Sequence, residues 1–437
     1  MRRTLLRAMG ADAGAFDRRV WLLTGGQALL SVGRGVLMPF ATIYFYNVQG
    51  FPLALIGLTF AVALPAGALV GLLWGALADR IGRKPLMVLG FAGAALATAA
   101  LAFVETVPQY MAAILANFTF ISAFNPASRA MIADVTPPDR RTRAYGLQYL
   151  ANNAGISGGI LLGSALVLLL PYRALFFVEA AGIAAYLLVV AFLVPESHVR
   201  APDAAPQRGL QRLAGHLRGI GRPLRDARFL IFALATVLAG LGWAQFYITY
   251  SPYMKNYLDL ADSQIAIVFA INAGMVVLLQ VVVATWAERR TRTSVYLVAN
   301  HLLAWSLLLT WAAGRVEGGA ERFWVMAIGV AVMTLGEIMV VPVGSALVAG
   351  LAGSGNDFGK YMAALELVWT TASGLGSTLG GLFFDIGRPM LLWPVMTAFV
   401  VLSFAGYAWL GRALPPGVNR PGAAQGPAAA ALPAHEA

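Results

Sequence analysis

The chain contains no cysteine. Disulfides, thiolate metal sites and cysteine nucleophiles are therefore excluded. Charge is also scarce: Asp, Glu, Lys and Arg make up 12% of the 437 residues, against about 25% in soluble globular domains. So few charges cannot cover the surface of a water-soluble domain. Histidine occurs only at His198, His216, His301 and His435, with no ligand spacing. No nucleophile–base pair, metal motif or phosphate-cradling loop stands out, so neither an enzyme nor a cofactor is expected.

Apolar sequence fills the space that charge leaves. Hydrophobic residues are 59% of the total, and runs of roughly 20 of them recur, each long enough to cross a bilayer as a helix. The pattern predicts helices over 20–46, 53–78, 85–104, 108–134, 144–170 and 173–194. It predicts six more over 229–254, 263–287, 293–313, 321–348, 359–384 and 389–411. The fold class expected is an all-α polytopic membrane protein, with twelve transmembrane helices in two pseudo-symmetric six-helix bundles. The first bundle occupies 1–194 and the second 229–411. Between them, 195–228 reads as a linker with a basic amphipathic helix, in which Leu210, Leu213, Leu217 and Ile220 recur among arginines. The tail, 412–437, is rich in Pro and Ala and is expected to be disordered. The first apolar run is too long for a signal-peptide core and reads as an uncleaved helix.

A net charge of +11 alone would suit nucleic-acid binding, but the positions of the charges argue for topology. Only Arg173, Lys255, Arg315, Arg322 and Arg388 fall in one set of loops, and Arg34 and Arg129 lie within helices. The other 24 of the 31 Lys and Arg lie in the opposite set, which includes both termini. By the positive-inside rule that set faces the cytoplasm, in contact with anionic lipid. A multi-pass protein of a bacterial cytoplasmic membrane is expected, with both termini inside, and a monomer.

An internal repeat supports the two bundles. "GALADRIGRK" at 75–84 aligns with "ATWAERRTRT" at 284–293, an offset of 209. The same offset places Gly33-Arg34 on Gly242-Trp243 and Tyr44 on Tyr253. Two related bundles with a site between them are a general plan of secondary transporters.

At this point the chain resembles the major facilitator superfamily, and in particular its twelve-helix drug:proton antiporters. The loop after the second helix carries the signature Gly-x-x-x-Asp-Arg-x-Gly-Arg-Lys as Gly75, Asp79, Arg80, Gly82, Arg83 and Lys84. The resemblance implies a conformational latch in which Asp79 meets the start of helix 11 near Gly359, Lys360 and Tyr361. It also implies that Arg83 pairs with Asp134. Arg129, about one turn from Asp134, is read as a second partner for that carboxylate. "NNAGISGGILLGS" resembles the antiporter glycine motif of helix 5, carried by Gly155, Gly159 and Gly163. Glycines spaced by four are also a general helix-packing device.

Ionisable groups inside spanning helices are functional candidates. Glu337, in the Gly-Glu…Pro stretch of helix 10, resembles the carboxylate of proton-coupled exporters and peptide transporters, and it is a proton-coupling candidate with Glu366. Arg34 shares a helix face with Gln27, Ser31 and Met38, a polar stripe that reads as cavity lining. Asn117, Asn152, Trp243, Tyr247 and Trp369 are further substrate-cavity candidates. Glu179 is left unassigned. The reading is a secondary transporter driven by protons, exporting amphiphilic small molecules by alternating access. A proton-coupled importer or facilitator of a sugar, organic acid or peptide stands as the alternative, as does a lipid transporter. The partners expected are a small-molecule substrate, protons and membrane lipid.

Overall fold

The computed structural model describes residues 16–197, 222–287, 289–353 and 357–420. Among these residues the regular structure is helical, in twelve long segments. In the first half, α1 is Arg18–Leu37, continued by Ala41–Ile43 and a π-helical turn, Tyr44–Val48. Then come α2 (Leu53–Ile81), α3 (Arg83–Leu101), α4 in two pieces (Val107–Ile121 and Phe124–Val135), α5 (Pro138–Leu166) and α6 (Tyr172–Leu188). In the second half, α7 runs in pieces, Ala227–Trp243, Gln245–Ile248 and Tyr250–Asn256. It is followed by α8 (Asp262–Ala287), α9 (Arg292–Ala313), α10 (Gly319–Ala352), α11 (Phe358–Asp385) and α12 (Pro389–Ala413). Among the described residues, nine helices are long and apolar enough to cross a membrane. The other three are α4, which is broken in two, and α5 and α11, which carry polar residues along their length.

The repeat is written into the helix starts. α1, α2 and α3 begin at 18, 53 and 83, and α7, α8 and α9 at 227, 262 and 292, so each pair differs by 209. Even the caps correspond. Asp17 accepts from the Arg19 amide at 2.7 Å, and Asp226 accepts from the Arg228 amide at 2.9 Å. Each carboxylate satisfies an amide that the first turn leaves unpaired.

One boundary differs by more than four residues from the sequence reading. α5 begins at Pro138 rather than near 144, because proline is preorganised for a first helical turn. The charged stretch 139–143 thus belongs to the helix although it lies outside the apolar run. The chain after Arg412 is also more structured than composition suggests. A short helix, Pro416–Asn419, brings the Asn419 side-chain oxygen to the Thr293 amide and hydroxyl, both at 3.1 Å. Arg292 donates to the Val418 carbonyl at 2.6 Å. The tail therefore pins the start of α9. The amphipathic linker helix lies outside the described residues.

Contacts divide the chain into two compact units. One is Met1–Ala214 with Tyr247–Val277 and Ser377–Ile386; the other is Gly215–Phe246 with Leu278–Gly376 and Gly387–Ala437. The units do not coincide with the sequence halves, since one end each of α7, α8 and α11 belongs with the first half. We call that end, remote from the start of α1, distal.

Lipid offers no hydrophobic drive between helices, so packing relies on close approach. In the first unit, α1 and α5 meet backbone to backbone. A Cβ at Gly155 would lie 2.5 Å from the Ala28 carbonyl oxygen. One at Gly159 or Gly163 would collide with the Val32 or Val36 carbonyl. In the second unit, Gly240 and Gly376 give α7 and α11 the same intimacy: Cβ atoms there would lie 2.5 Å from the Ala372 Cβ and 2.9 Å from Leu241 Cα.

Candidate functional site

Two residues of the polar stripe of α1 bond to α5. Gln27 Nε2 donates to Ser31 Oγ at 3.1 Å and to Asn152 Oδ1 at 2.9 Å. Ser31 Oγ donates to the same Asn152 oxygen, also at 2.9 Å. The glycine contact between α1 and α5 makes this possible, because only a close crossing brings such short side chains within reach. One turn further along, Arg34 is exposed. It interacts electrostatically with Glu179 on α6. A Cβ on neighbouring Gly33 would lie 3.2 Å from the Glu179 backbone and 3.6 Å from its Cγ. The residue left unassigned from sequence is thus the acidic neighbour of Arg34 within the first bundle.

Asn117 does not join this group. Its amide donates to Thr98 Oγ1 at 2.7 Å and ties α4 to α3. A polar residue in an apolar helix has to find a partner, but the sequence does not show on which side. Gly155, Gly159 and Gly163 serve as packing glycines, as their spacing suggests.

On α10, Glu337 is half-buried. Preceding Gly336 seats the Trp243 ring of α7, whose edge lies 3.3 Å from where a Cβ would stand. Trp243 is accordingly a buried neighbour of the Glu337 turn, while Tyr247 is 49% exposed. On α11, Glu366 is exposed and Trp369 half-buried, and Thr370 Oγ1 donates back to the Glu366 carbonyl at 3.0 Å. Helix α10 runs on through Pro342 without a break. In the first unit Arg34 interacts with Glu179 on α6. In the second, Glu337 stands on α10 and Glu366 on α11. Ionisable side chains within spanning helices can bind a charged solute or exchange a proton.

The signature loop is a tight connection. Gly82 has φ 98° and ψ 162°, a region open in practice only to glycine. Arg83 pairs with Asp134, and Asp134 also accepts from Ser197 Oγ at 2.9 Å. Among the described residues no ion pair joins Arg129 to Asp134. The Arg129 side chain is exposed, while Asp134 meets Arg83 and Ser197. Glu196, a residue the sequence reading passed over, accepts from the Lys84 amide at 3.0 Å and so caps α3. The side chains of Asp79 and Arg80 and the surroundings of Gly75 lie outside those described. At the start of α11, Lys360 Nζ meets Asp357 at 2.7 Å, Arg222 pairs with Asp357 at 2.8 Å, and the Tyr361 hydroxyl donates at 2.9 Å to Asp226, the cap of α7. The Lys360 ammonium holds the Asp357 carboxyl below the usual carboxylate range.

Comparison with known proteins fits this picture. The family model for the Major Facilitator Superfamily matches residues 23–235 and 232–434, one match to each half. The multidrug resistance protein MdtH of Yersinia pestis (strain Pestoides F) is 26% identical over 388 residues, covering 87% of this chain and 91% of that protein. A crystal structure of a mutant of the peptide transporter POT has a TM-score of 0.71 at 16% identity, covering 91% of this chain and 95% of that one. The nucleoside transporter NupG, also a mutant, gives 0.71 at 15%, covering 90% and 100%. These two structural likenesses show the fold alone. With the family model matched across both halves, the chain belongs to the Major Facilitator Superfamily and is a membrane-spanning transporter.

Proposed function

We propose that the protein exports amphiphilic small molecules in exchange for protons, by alternating access. The observation that carries this reading is the set of ionisable side chains in the spanning helices: exposed Arg34 with half-buried Glu179 beside it, half-buried Glu337 and exposed Glu366. A charge within a membrane-spanning helix costs about 2.5–3.5 kcal/mol on insertion scales, which favours a functional role for each. Glu337 and Glu366 are the proton sites. Arg34, Gln27, Ser31, Asn152, Trp243, Tyr247 and Trp369 line the substrate path, and Arg34 favours an anionic or zwitterionic group. The likeness to MdtH, which spans nearly all of both chains, supports export and a broad, drug-like substrate range. The charge pattern supports a cytoplasmic position, in a bacterial inner membrane, for both termini and the signature loop, where Asp79, Arg80, Arg83 and Lys84 act as a latch. The protein works as a monomer.

A second reading, a proton-coupled importer or facilitator of a polar metabolite, draws on the fold shared with peptide and nucleoside transporters. Proteoliposomes holding a pH-sensitive dye separate the two. Lipophilic cations, amphiphilic anions, nucleosides and short peptides are added in turn under an imposed pH gradient. Export by exchange predicts that an amphiphile drives protons the opposite way to itself. Protons moving with a peptide or nucleoside would instead establish symport.

A further inference from the structure

α2 begins without a cap of its own. Its N-cap residue is Pro52, which offers no side-chain acceptor, and no side-chain cap bond is made from within the segment. The first amides of a helix need partners and carry the positive end of its dipole. Here the partner comes from 332 residues further along the chain. Asp385, the last residue of α11, accepts from the Leu53 amide through Oδ1 and from the Ala54 amide through Oδ2, both at 2.9 Å. One carboxylate thus spans two successive amides of another helix, a charge-assisted pair of bonds.

The surrounding surface is shaped to permit that contact. A Cβ at Gly381 would collide with the Ala54 amide, and one at Gly57 would lie 2.5 Å from the Ser377 carbonyl carbon. Ser377 is buried against α2 at 4% exposure. Beside the cap, Phe384 takes the edges of Tyr46 and Tyr257 with ring centroids 6.2 and 5.4 Å apart. Burial and the Asp385 charge together push the Tyr257 hydroxyl above its ordinary value. A second link stands nearby on α1 and α7. Asn47 donates to Asn256 at 2.5 Å, and Asn256 donates back at 3.3 Å. These two residues are themselves 209 apart, equivalent positions of the repeat that bond reciprocally as a two-fold pair would. A third link, from Ser157 on α5 to the Ala273 carbonyl of α8, measures 3.1 Å.

Each link joins a helix of the first sequence half to one of the second, and Asp385 is the only acidic residue among the three. We propose that Asp385 is the positioning residue of the distal closure. Its carboxylate holds the start of α2 while the outer side is shut, and it releases that helix when the outer side opens. This rests on the alternating-access reading above, and it assigns to the distal end a latch that the signature loop does not supply.

The absence of cysteine makes a direct test clean. Ser377→Cys puts a lone thiol at the buried α2–α11 contact, and its labelling by a membrane-impermeant maleimide from outside reports separation. With Asp385→Ala added, labelling should rise about tenfold, and with Asp385→Asn, which keeps an acceptor but no charge, by less. A rise under about twofold in protein that is still folded and monodisperse overturns the latch. In parallel, Asn47→Cys/Asn256→Cys is oxidised to a disulfide. If the crosslinked protein still transports at the uncrosslinked rate, alternating access through this end fails, whatever Asp385 does. If crosslinking stops transport and Asp385→Ala leaves labelling unchanged, the latch alone is wrong.

Discussion

Glycine and asparagine show how differently single residues can be read. The spacing of Gly155, Gly159 and Gly163 announces a packing face, and the structure sets that face on α1. At Gly158, one residue away, a Cβ would meet nothing within 4 Å. Gly159→Leu should therefore lower stability by about 1–3 kcal/mol through overpacking. Gly158→Leu should be neutral or slightly stabilising, since leucine is the better helix former, glycine lying about 0.8–1.0 kcal/mol below alanine. Thermal unfolding of the two purified variants in detergent checks the contrast, and equal behaviour would contradict the packing assignment. Polar residues are harder to place. Asn117 and Asn152 look alike in sequence, yet one is spent on Thr98 and the other joins Gln27 and Ser31. Only the neighbours a helix acquires on folding distinguish them.

Helices were legible where their apolar runs end in turn or cap residues, and less so where charge continues the helix beyond the run. α2, predicted from 53, starts at Leu53, whereas α5 starts six residues before its predicted boundary because Pro138 nucleates a charged first turn. The link between α2 and α3 combines both kinds of information. Its glycine is plain in the signature, while Glu196, which caps α3 from 112 residues away, is not. Gly82→Ala should cost about 1–3 kcal/mol, because an alanine is strained at positive φ. Its methyl would also lie 2.6 Å from a Glu196 carboxylate oxygen. Glu196→Ala alone should cost about 0.5–2 kcal/mol as a lost cap. If chemical unfolding shows the double variant losing as much as the two single losses summed, the residues act independently and the shared geometry proposed for this turn is wrong.

For the whole molecule, the repeat was the most informative sequence feature. The offset seen in two short motifs also governs six helix starts, two aspartate caps and the Asn47–Asn256 pair. Long-range partners such as Asp385 and Leu53 have no trace in local sequence, because nothing in a helix start tells which distant carboxylate will cap it. Within this frame, Glu337 is the proposed proton site. The measurement closest to that claim compares uphill transport with counterflow for wild type and Glu337→Gln in proteoliposomes. Proton coupling through Glu337 predicts that the variant loses pH-driven accumulation while still exchanging labelled for unlabelled substrate. Accumulation that survives the substitution would contradict it and pass the role to Glu366.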